Sequence, residues 1–318
     1  MKALRRIFLA ILLLLGTAWL VTTQPIFVTV NSVGSPTVDP NLLKSHVVML
    51  SETLPARGGF EKSLKPTVKW IEQQILPFGK STRQNYTVGD EKSYNILLNF
   101  GPESDEIIIV GAHYDTAHSY PGADDNASGV AALIELARLL SQNEKSLTSR
   151  IQLAFYSLEE PPYFRTEKMG SFIHASRLKE KQQKIKMMIA LDMVGYFSDE
   201  KNSQHFPIPF MERFYSDRGD FIAVVGNLSN MFTVRNVKKG MLSATELPVY
   251  SINAPTLIQG IDFSDHLNFW HFGYPAVLIT DTSFMRNTAY HTEQDTADRL
   301  DYVKMAEVVK GLYQAVIQ

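Results

Sequence analysis

The sequence predicts an α/β fold: a three-layer sandwich in which helices cover both faces of a mixed, mostly parallel central sheet. Strand-like and helix-like segments alternate along the chain, as expected of such a sheet. Residues 107–110 are apolar without interruption, as in a central strand covered on both sides. The 318 residues are 45% hydrophobic, with 18 Phe and 13 Tyr. They are therefore sufficient to fill the core of one large domain.

The first 24 residues have the pattern of an export segment. Three basic residues within the first six precede an apolar stretch at residues 7–21. A basic start before about 7–15 apolar residues is typical of a signal peptide, and a membrane span needs roughly 17–25 residues. We expect residues 1–24 to act as a signal peptide or N-terminal membrane anchor. The rest of the chain would then be periplasmic or extracellular, with residues 25–39 as a linker.

Residues 40–318 are predicted to form a single domain, whose elements follow in order. Asp39 suits an N-cap and Pro40 a first helical turn, so a helix is expected from there to Leu54. A second helix, at about residues 65–76, would end before Pro77. The predicted strands lie at about residues 84–88, 94–100, 106–112, 150–157, 186–193, 221–225 and 276–280. The remaining predicted helices lie at about residues 127–141, 169–181 and 302–316.

Charge and cysteine content exclude several classes of function. The 31 basic and 33 acidic residues give a net charge of −2, so no nucleic-acid partner is expected. The chain has no cysteine, which excludes a disulfide scaffold, a cysteine nucleophile and cysteine-ligated zinc. Any metal must be held by His, Asp and Glu. The motifs Gly-x-Ser-x-Gly and His-Glu-x-x-His are absent, which disfavours a serine hydrolase and a single-zinc protease.

Acidic residues and histidines follow the predicted strands at the points where the strands end. His113 and Asp115 follow the central strand, Glu159 and Glu160 the next, and Asp192 the one after. Ligands of α/β folds bind outside the carboxyl ends of the strands. Each residue alone has an ordinary explanation as a structural pair or a solvated turn. Together they form an oxygen and nitrogen ligand set that fits a two-metal hydrolytic site.

Two further segments add to this set. Residues 122–129 read GADDNASG and place three polar residues before a helix, although capping needs only one. Buried carboxylates beside a central strand would be strongly disfavoured without a cation. His291 lies in YHTEQDT, at residues 290–296, before the last predicted helix. It would supply a second imidazole.

These segments resemble the co-catalytic dizinc aminopeptidases of peptidase clan MH, whose relatives include glutamate carboxypeptidase II and the glutaminyl cyclases. The matching segments are GAHYD at 111–115, GADDNASG at 122–129, LEE at 158–160, LDM at 191–193, SDH at 264–266 and YHTEQDT at 290–296. They occur in the family's order. The resemblance implies a zinc-exopeptidase fold and hydrolysis of the N-terminal bond of peptides, which would be the partners of this chain.

The resemblance also implies how two zinc ions would be held. His113, Asp125 and Asp192 would hold one ion. Asp125, Glu160 and His291 would hold the other, so that Asp125 bridges the pair.

Further positions take roles from the same resemblance. Asp115 would orient His113, and Glu159 would act as the general base. The family's metal-binding histidine lies in the YHT motif, so Asp265 and His266 are assigned a supporting role. Members of the family also have a cis peptide bond after the bridging aspartate, which here would join Asp125 to Asn126.

Three other functions stay open. A glutaminyl cyclase uses much of this ligand set around one zinc. Against it stand the DDNASG loop and Tyr290, where animal cyclases have Trp. A carboxypeptidase of the same clan is the second alternative. The third is a binding ectodomain without activity, which the five retained ligand positions and the retained base speak against.

Residues 161–168 depart from the pattern, because many relatives have a short glycine-rich turn there. PPYFRTEK is longer and stiffer. It is either a tolerated insertion or a rim that shapes the specificity pocket. Residues 200–260, the expected pocket-forming stretch, contain no interpretable motif, and the sequence does not indicate an oligomeric state.

Overall fold

The computed structural model describes residues 2–23, 36–54, 56–59 and 61–318. Most of the expected linker, residues 25–35, lies outside the described residues. Helix α1 (Lys2–Thr23) covers the expected export segment, and its apolar side chains, such as Leu13 and Leu14, are exposed. No helix among the described residues is both long and apolar enough to cross a membrane.

Eight strands form one sheet within the described residues. The strands are β1 (Thr82–Val88), β2 (Glu91–Phe100), β3 (Glu106–His113), β4 (Arg150–Tyr156), β5 (Lys184–Leu191), β6 (Ile222–Gly226), β7 (Val249–Asn253) and β8 (Ala276–Thr280). Their order in the sheet is β1-β2-β4-β3-β5-β8-β6-β7. The central strands β4, β3, β5 and β8 are parallel. Strands β1 and β2 join antiparallel at one edge, and β6 is antiparallel to β8 but parallel to β7.

Helices cover both faces of this sheet. The helices are α2 (Pro40–Val48), α3 (Glu61–Ile75), α4 (Gly129–Gln142), α5 (Gly170–Glu180), α6 (Met231–Leu242), α7 (His266–His271) and α8 (Tyr302–Ile317). Alternate side chains of β3 enter different cores. Ile108 and Val110 belong to a core that includes residues of α2, α3, α4, α6 and α8. Ile107 and Ile109 belong to a core that includes residues of α5 and α7. The predicted α/β fold with a mixed central sheet is therefore confirmed.

The start of α2 follows from the residues that cap it. The Asp39 carboxylate accepts a 2.8 Å hydrogen bond from the backbone N–H of Asn41, and α2 begins at Pro40 as expected. A π-helical turn at Met49–Thr53 continues α2. Helix α3 begins at Glu61, four residues before the predicted start.

Three elements went unpredicted: α6, α7 and β7. Helix α6 does carry a usable signal, because Val234, Val237 and Met241 recur at helical spacing and are buried. Strand β7 has five residues, lies at the edge of the sheet and is buried only at alternate positions. A short run of this kind is hard to distinguish from a loop.

The sheet places the proposed ligands at one edge. His113 lies opposite Tyr156, and Gly111 lies opposite Ala190, so β3, β4 and β5 end side by side. Since these strands are parallel, the segments that leave their carboxyl ends meet there.

Candidate metal centre

Asp125 lies between two histidines and directs one carboxylate oxygen toward each. Nε2 of His113, the last residue of β3, is 3.3 Å from Oδ1 of Asp125 and 3.6 Å from Oδ1 of Asp192. Nε2 of His291 is 3.0 Å from Oδ2 of Asp125 and 3.1 Å from Oε2 of Glu160. The five residues predicted as ligands therefore meet in one place. Asp125 has the position required of a bridging carboxylate.

The chemistry of these atoms fits bound metal. Ligand atoms of His113, Asp125 and Asp192 lie within 4.8 Å of one another, as do those of Asp125, Glu160 and His291. Those of His113, Glu159 and Glu160 form a third such group. Nε2 of both histidines and Oε1 of Glu160 are buried without a hydrogen-bond partner in the described part of the chain. Buried polar atoms are normally paired. Unpaired imidazole nitrogens beside carboxylates form a donor set that suits zinc.

The electrostatics of the site also favour a bound cation. Burial, reinforced by the neighbouring Asp125 carboxylate, raises the pKa of Glu160 to about 8. Burial likewise raises the pKa of Asp192. Burial disfavours the protonated ring of His291, but Asp125 and Glu160 outweigh this effect and raise its pKa to about 10. A bound cation would stabilise the charged forms of these carboxylates, which burial disfavours.

The loop that carries Asp125 is attached to the end of β5. The Asp125–Asn126 peptide bond is cis, as the resemblance implies. The side chain of Asn126 donates to the carbonyl of Leu191 (2.8 Å), and its Oδ1 accepts from the N–H groups of Gly129 (3.0 Å) and Met193 (3.3 Å). One buried amide therefore joins the loop, the start of α4 and the segment around Asp192.

The carboxylate of Asp115 holds the glutamate segment. Its two oxygens accept hydrogen bonds from the backbone N–H groups of Glu159 (3.1 Å) and Glu160 (3.0 Å). Nδ1 of His113 lies 3.2 Å from the main-chain oxygen of Asp115 and 3.6 Å from its carboxylate. The expected role of orienting His113 is compatible with these contacts. The contacts add a second role, which is to position both glutamates.

Asp295 is a positioning residue that the sequence reasoning did not assign. Its oxygens accept hydrogen bonds from the N–H groups of Asp124 (3.0 Å) and Asp125 (3.0 Å). This repeats the way in which Asp115 holds Glu159 and Glu160. Asp295 lies within the YHTEQDT motif, and that motif was the available signal.

We expect Asp295→Asn to weaken metal binding about tenfold, as is typical for residues that orient ligands. An amide must direct its NH₂ group at one of the two backbone N–H groups, so that N–H loses its acceptor. Zinc affinity measured by competition with a chromophoric chelator tests this, with exposed Glu293→Gln as control. Zinc affinity equal to that of the control would contradict the assignment.

Glu159 lies at the boundary between the metal centre and a cavity. It is buried, and its Oε2 is 4.0 Å from Nε2 of His113. Burial raises its pKa well above the usual value; the charge of His113 opposes this shift, and the Glu160 carboxylate adds to it.

The backbone around the site has unusual conformations. Leu158, immediately before Glu159, has a φ of +61°, and Met193 and His291 also have positive φ. Such backbone conformations are uncommon outside glycine and are concentrated at functional sites.

Asp265 and His266 lie outside the groups of candidate ligands. Nε2 of His266 is 2.8 Å from the carbonyl oxygen of Ile261, and its ring packs edge-on against Trp270. Burial lowers the pKa of His266 to about 4, so the ring is neutral at physiological pH. His266 belongs to none of the metal-type clusters found among the described residues. Burial raises the pKa of Asp265 to about 7, and the charge of His113 opposes this shift. The supporting role of Asp265 stays a prediction.

An apolar cavity of about 300 Å³ adjoins the metal centre. Its charged lining residues are Asp125, Glu159, Glu160, Asp192 and His291, all of which belong to the centre. Strands β6, β7 and β8 supply part of the wall, and segments 204–215 and 259–263 supply more. Residues 200–260, which carry no interpretable motif, therefore contribute much of this cavity.

The chain is similar to known proteins along most of its length. Residues 95–316 match the model of peptidase family M28. An uncharacterized Escherichia coli protein, YfbL, is 46% identical over 283 residues, which are 86% of each chain. The crystal structure of the LapA aminopeptidase of Legionella pneumophila matches with a TM-score of 0.68 at 19% identity, covering 88% of this chain and 73% of that one.

A second solved structure has a similar fold and is named for a different activity. The glutaminyl cyclase of Bacteroides thetaiotaomicron matches with a TM-score of 0.64 at 20% identity, covering 90% of this chain and 99% of that one. At this identity, both solved structures support the fold. The match to the family model covers more than two thirds of the chain and includes all five proposed ligands, so the chain belongs to peptidase family M28.

Proposed function

We propose that this protein is a dizinc aminopeptidase. Membership of peptidase family M28 supports a metal-dependent peptidase. The observation that carries the two-ion proposal is the position of Asp125, with one oxygen toward His113 and the other toward His291. Each ion would then have three protein ligands and an open position for water or substrate, as catalytic zinc sites have.

The residues of the chain divide the catalytic work as follows. His113, Asp125 and Asp192 would hold one ion, and Asp125, Glu160 and His291 the other. Bound zinc would supply Lewis acidity and lower the pKa of an attacking water. Glu159 also belongs to a third possible group, with His113 and Glu160. We assign it the role of base because the two groups that share Asp125 would hold both ions without it. Its carboxylate would accept the proton of the water and deliver it to the leaving amine.

The cavity supports binding of an apolar N-terminal residue. The scissile bond would lie at the metal centre, and the first side chain would enter the adjoining cavity, whose lining beyond the centre carries no charged residue. Burial of a large apolar side chain contributes roughly 1.5–3 kcal/mol. Peptides with a leucine-sized or larger first residue are therefore expected to be better substrates than peptides with alanine.

A panel of aminoacyl-anilides, tested on protein lacking residues 1–24, checks this function. We expect the protein to release leucine and phenylalanine faster than alanine. Treatment with a chelator should abolish this activity, and added zinc should restore it. Inactivity on the panel combined with pyroglutamate formation from an N-terminal glutamine peptide would establish a cyclase instead. Release from the carboxyl end of peptides would indicate a carboxypeptidase. A chain that binds no metal would point to a binding ectodomain.

Residues 1–24 are proposed to direct export to the periplasm or the extracellular space. The basic start and apolar stretch support this proposal. Fractionation of cells that produce the full chain, followed by N-terminal sequencing, separates a cleaved signal from a retained anchor.

A further inference from the structure

Residues 161–168, the loop that departs from the family pattern, begin directly after the ligand Glu160. The N–H of Tyr163 donates to the carbonyl of Glu160 (2.9 Å), and the N–H of Thr166 donates to the carbonyl of Tyr163 (3.0 Å). The N–H of Met169 then donates to the carbonyl of Thr166 (3.2 Å). The loop is therefore a series of turns attached to the metal centre. Its residue Phe164 lines the cavity.

A second segment, residues 259–263, faces this loop across the cavity edge. Gln259, Gly260, Ile261 and Phe263 line the cavity. Phe164 and Phe263 are both half-buried, and their ring centres are 6.0 Å apart. Two rings that line a cavity and still reach solvent mark its rim. The width of this rim depends on how the two segments are held together.

Arg165 and Asp262 join the two segments. A guanidinium nitrogen of Arg165 is 2.7 Å from Oδ1 of Asp262. The guanidinium carbon also lies 5.4 Å from the ring centre of Phe164 and 5.2 Å from that of Phe263, within the range of a cation–π contact. A single cation thus contacts both rim rings and the segment opposite its own. We call this ion pair with its two rings the rim clasp.

The rim clasp is continuous with the metal centre through a row of aromatic rings. Phe263 is 5.9 Å from Phe284, Phe284 is 5.8 Å from Tyr290, and Tyr290 stacks on the ligand His291 at 3.8 Å. All four of these side chains line the cavity. A displacement of Phe263 would therefore change the wall against which a substrate side chain packs, on the side where His291 would hold a metal ion.

We propose that Arg165 and Asp262 determine substrate specificity by holding Phe164 and Phe263 at the width that fits a large apolar first side chain. This inference rests on the proposed aminopeptidase function. The Arg165 side chain is 48% exposed and that of Asp262 is 18% exposed. Solvent therefore screens the pair from the Arg165 side, and its contribution to folding stability is small. We therefore expect loss of the clasp to change the shape of the cavity and not the stability of the fold. It should weaken binding of substrates whose first side chain fills the cavity and leave binding of alanyl substrates unchanged.

The test uses Arg165→Ala and Asp262→Ala, singly and combined, in the zinc-loaded protein. Each single variant is expected to raise KM for a phenylalanyl-anilide about fivefold and to leave kcat, zinc content and KM for an alanyl-anilide within twofold. The double variant is expected to match the single ones, because either change opens the clasp. Lys168→Ala, an exposed change in the same loop, is the control and should change nothing.

A second measurement separates failure of this inference from failure of the proposed function. Calorimetry of phenethylamine binding to the same proteins reports on the cavity without any turnover. We expect about fivefold weaker binding in both single variants. Unchanged binding and an unchanged ratio of phenylalanyl to alanyl KM would overturn the clasp while leaving an active aminopeptidase. Equal losses for both substrates, or additive effects in the double variant, would also overturn it.

Discussion

Asp125→Ala is expected to remove both metal ions at once and to abolish turnover. The Asp125 carboxylate lies 3.3 Å from Nε2 of His113 through one oxygen and 3.0 Å from Nε2 of His291 through the other. One substitution therefore takes a ligand from each proposed ion. Bound metal lowers hydrolytic barriers by several kcal/mol, and about 1.4 kcal/mol is a factor of ten. The expected loss of kcat/KM is about 10³-fold or more.

Zinc per chain after dialysis is the primary measurement for Asp125→Ala, with the far-UV circular dichroism spectrum to verify folding. Asp90→Ala removes an exposed carboxylate from the β1–β2 turn and serves as control, which should keep its zinc and its activity. A variant of Asp125 that retained one zinc per chain would show that the residue serves a single ion. In that case the bridging role proposed for Asp125 would be wrong.

Glu159→Gln is expected to lower kcat by about 10²–10⁴-fold while zinc content stays nearly unchanged. General-base catalysis contributes effects of this size, and glutamine keeps the volume of the side chain but cannot accept the proton. Glu159 lines the cavity beside the metal centre. The two ligand groups that share Asp125 are complete without it.

Steady-state kinetics together with zinc analysis check this expectation. Glu167→Gln, an exposed change eight positions along the chain, is the matched control. Turnover close to wild type in Glu159→Gln would remove Glu159 from the role of base. Loss of zinc along with activity would show that Glu159 is a ligand, which its position 4.0 Å from His113 allows.

The fold could be predicted where burial leaves a simple pattern in the sequence. Strand β8 was predicted at residues 276–280 and is observed at Ala276–Thr280, buried throughout. Strand β5 ends at Leu191, two residues before the predicted end, because Asp192 and Met193 turn out of the strand at the metal centre. The order of the strands, by contrast, leaves no signal in the local pattern, since it depends on pairings between distant segments.

The sequence predicted the candidate ligands better than the residues that position them. Ligands must be His, Asp or Glu in a chain without cysteine, and strands that end together bring such residues together. Asp295 was missed because it acts on backbone groups 170 and 171 positions away, which no local spacing reveals. The same holds for the clasp between Arg165 and Asp262, 97 residues apart.

The sequence by itself determined the fold class, the family resemblance and the candidate ligand residues. These depend on hydrophobic periodicity and on which side chains can bind metal, and both are properties of residue type and order. Only the tertiary structure decided that Asp125 directs one oxygen to each histidine, that Asp115 and Asp295 hold the ligand-bearing backbone, and that residues 200–260 enclose an apolar cavity. Those features arise from distances between segments remote in the chain, which are set when the cores on the two faces of the sheet pack.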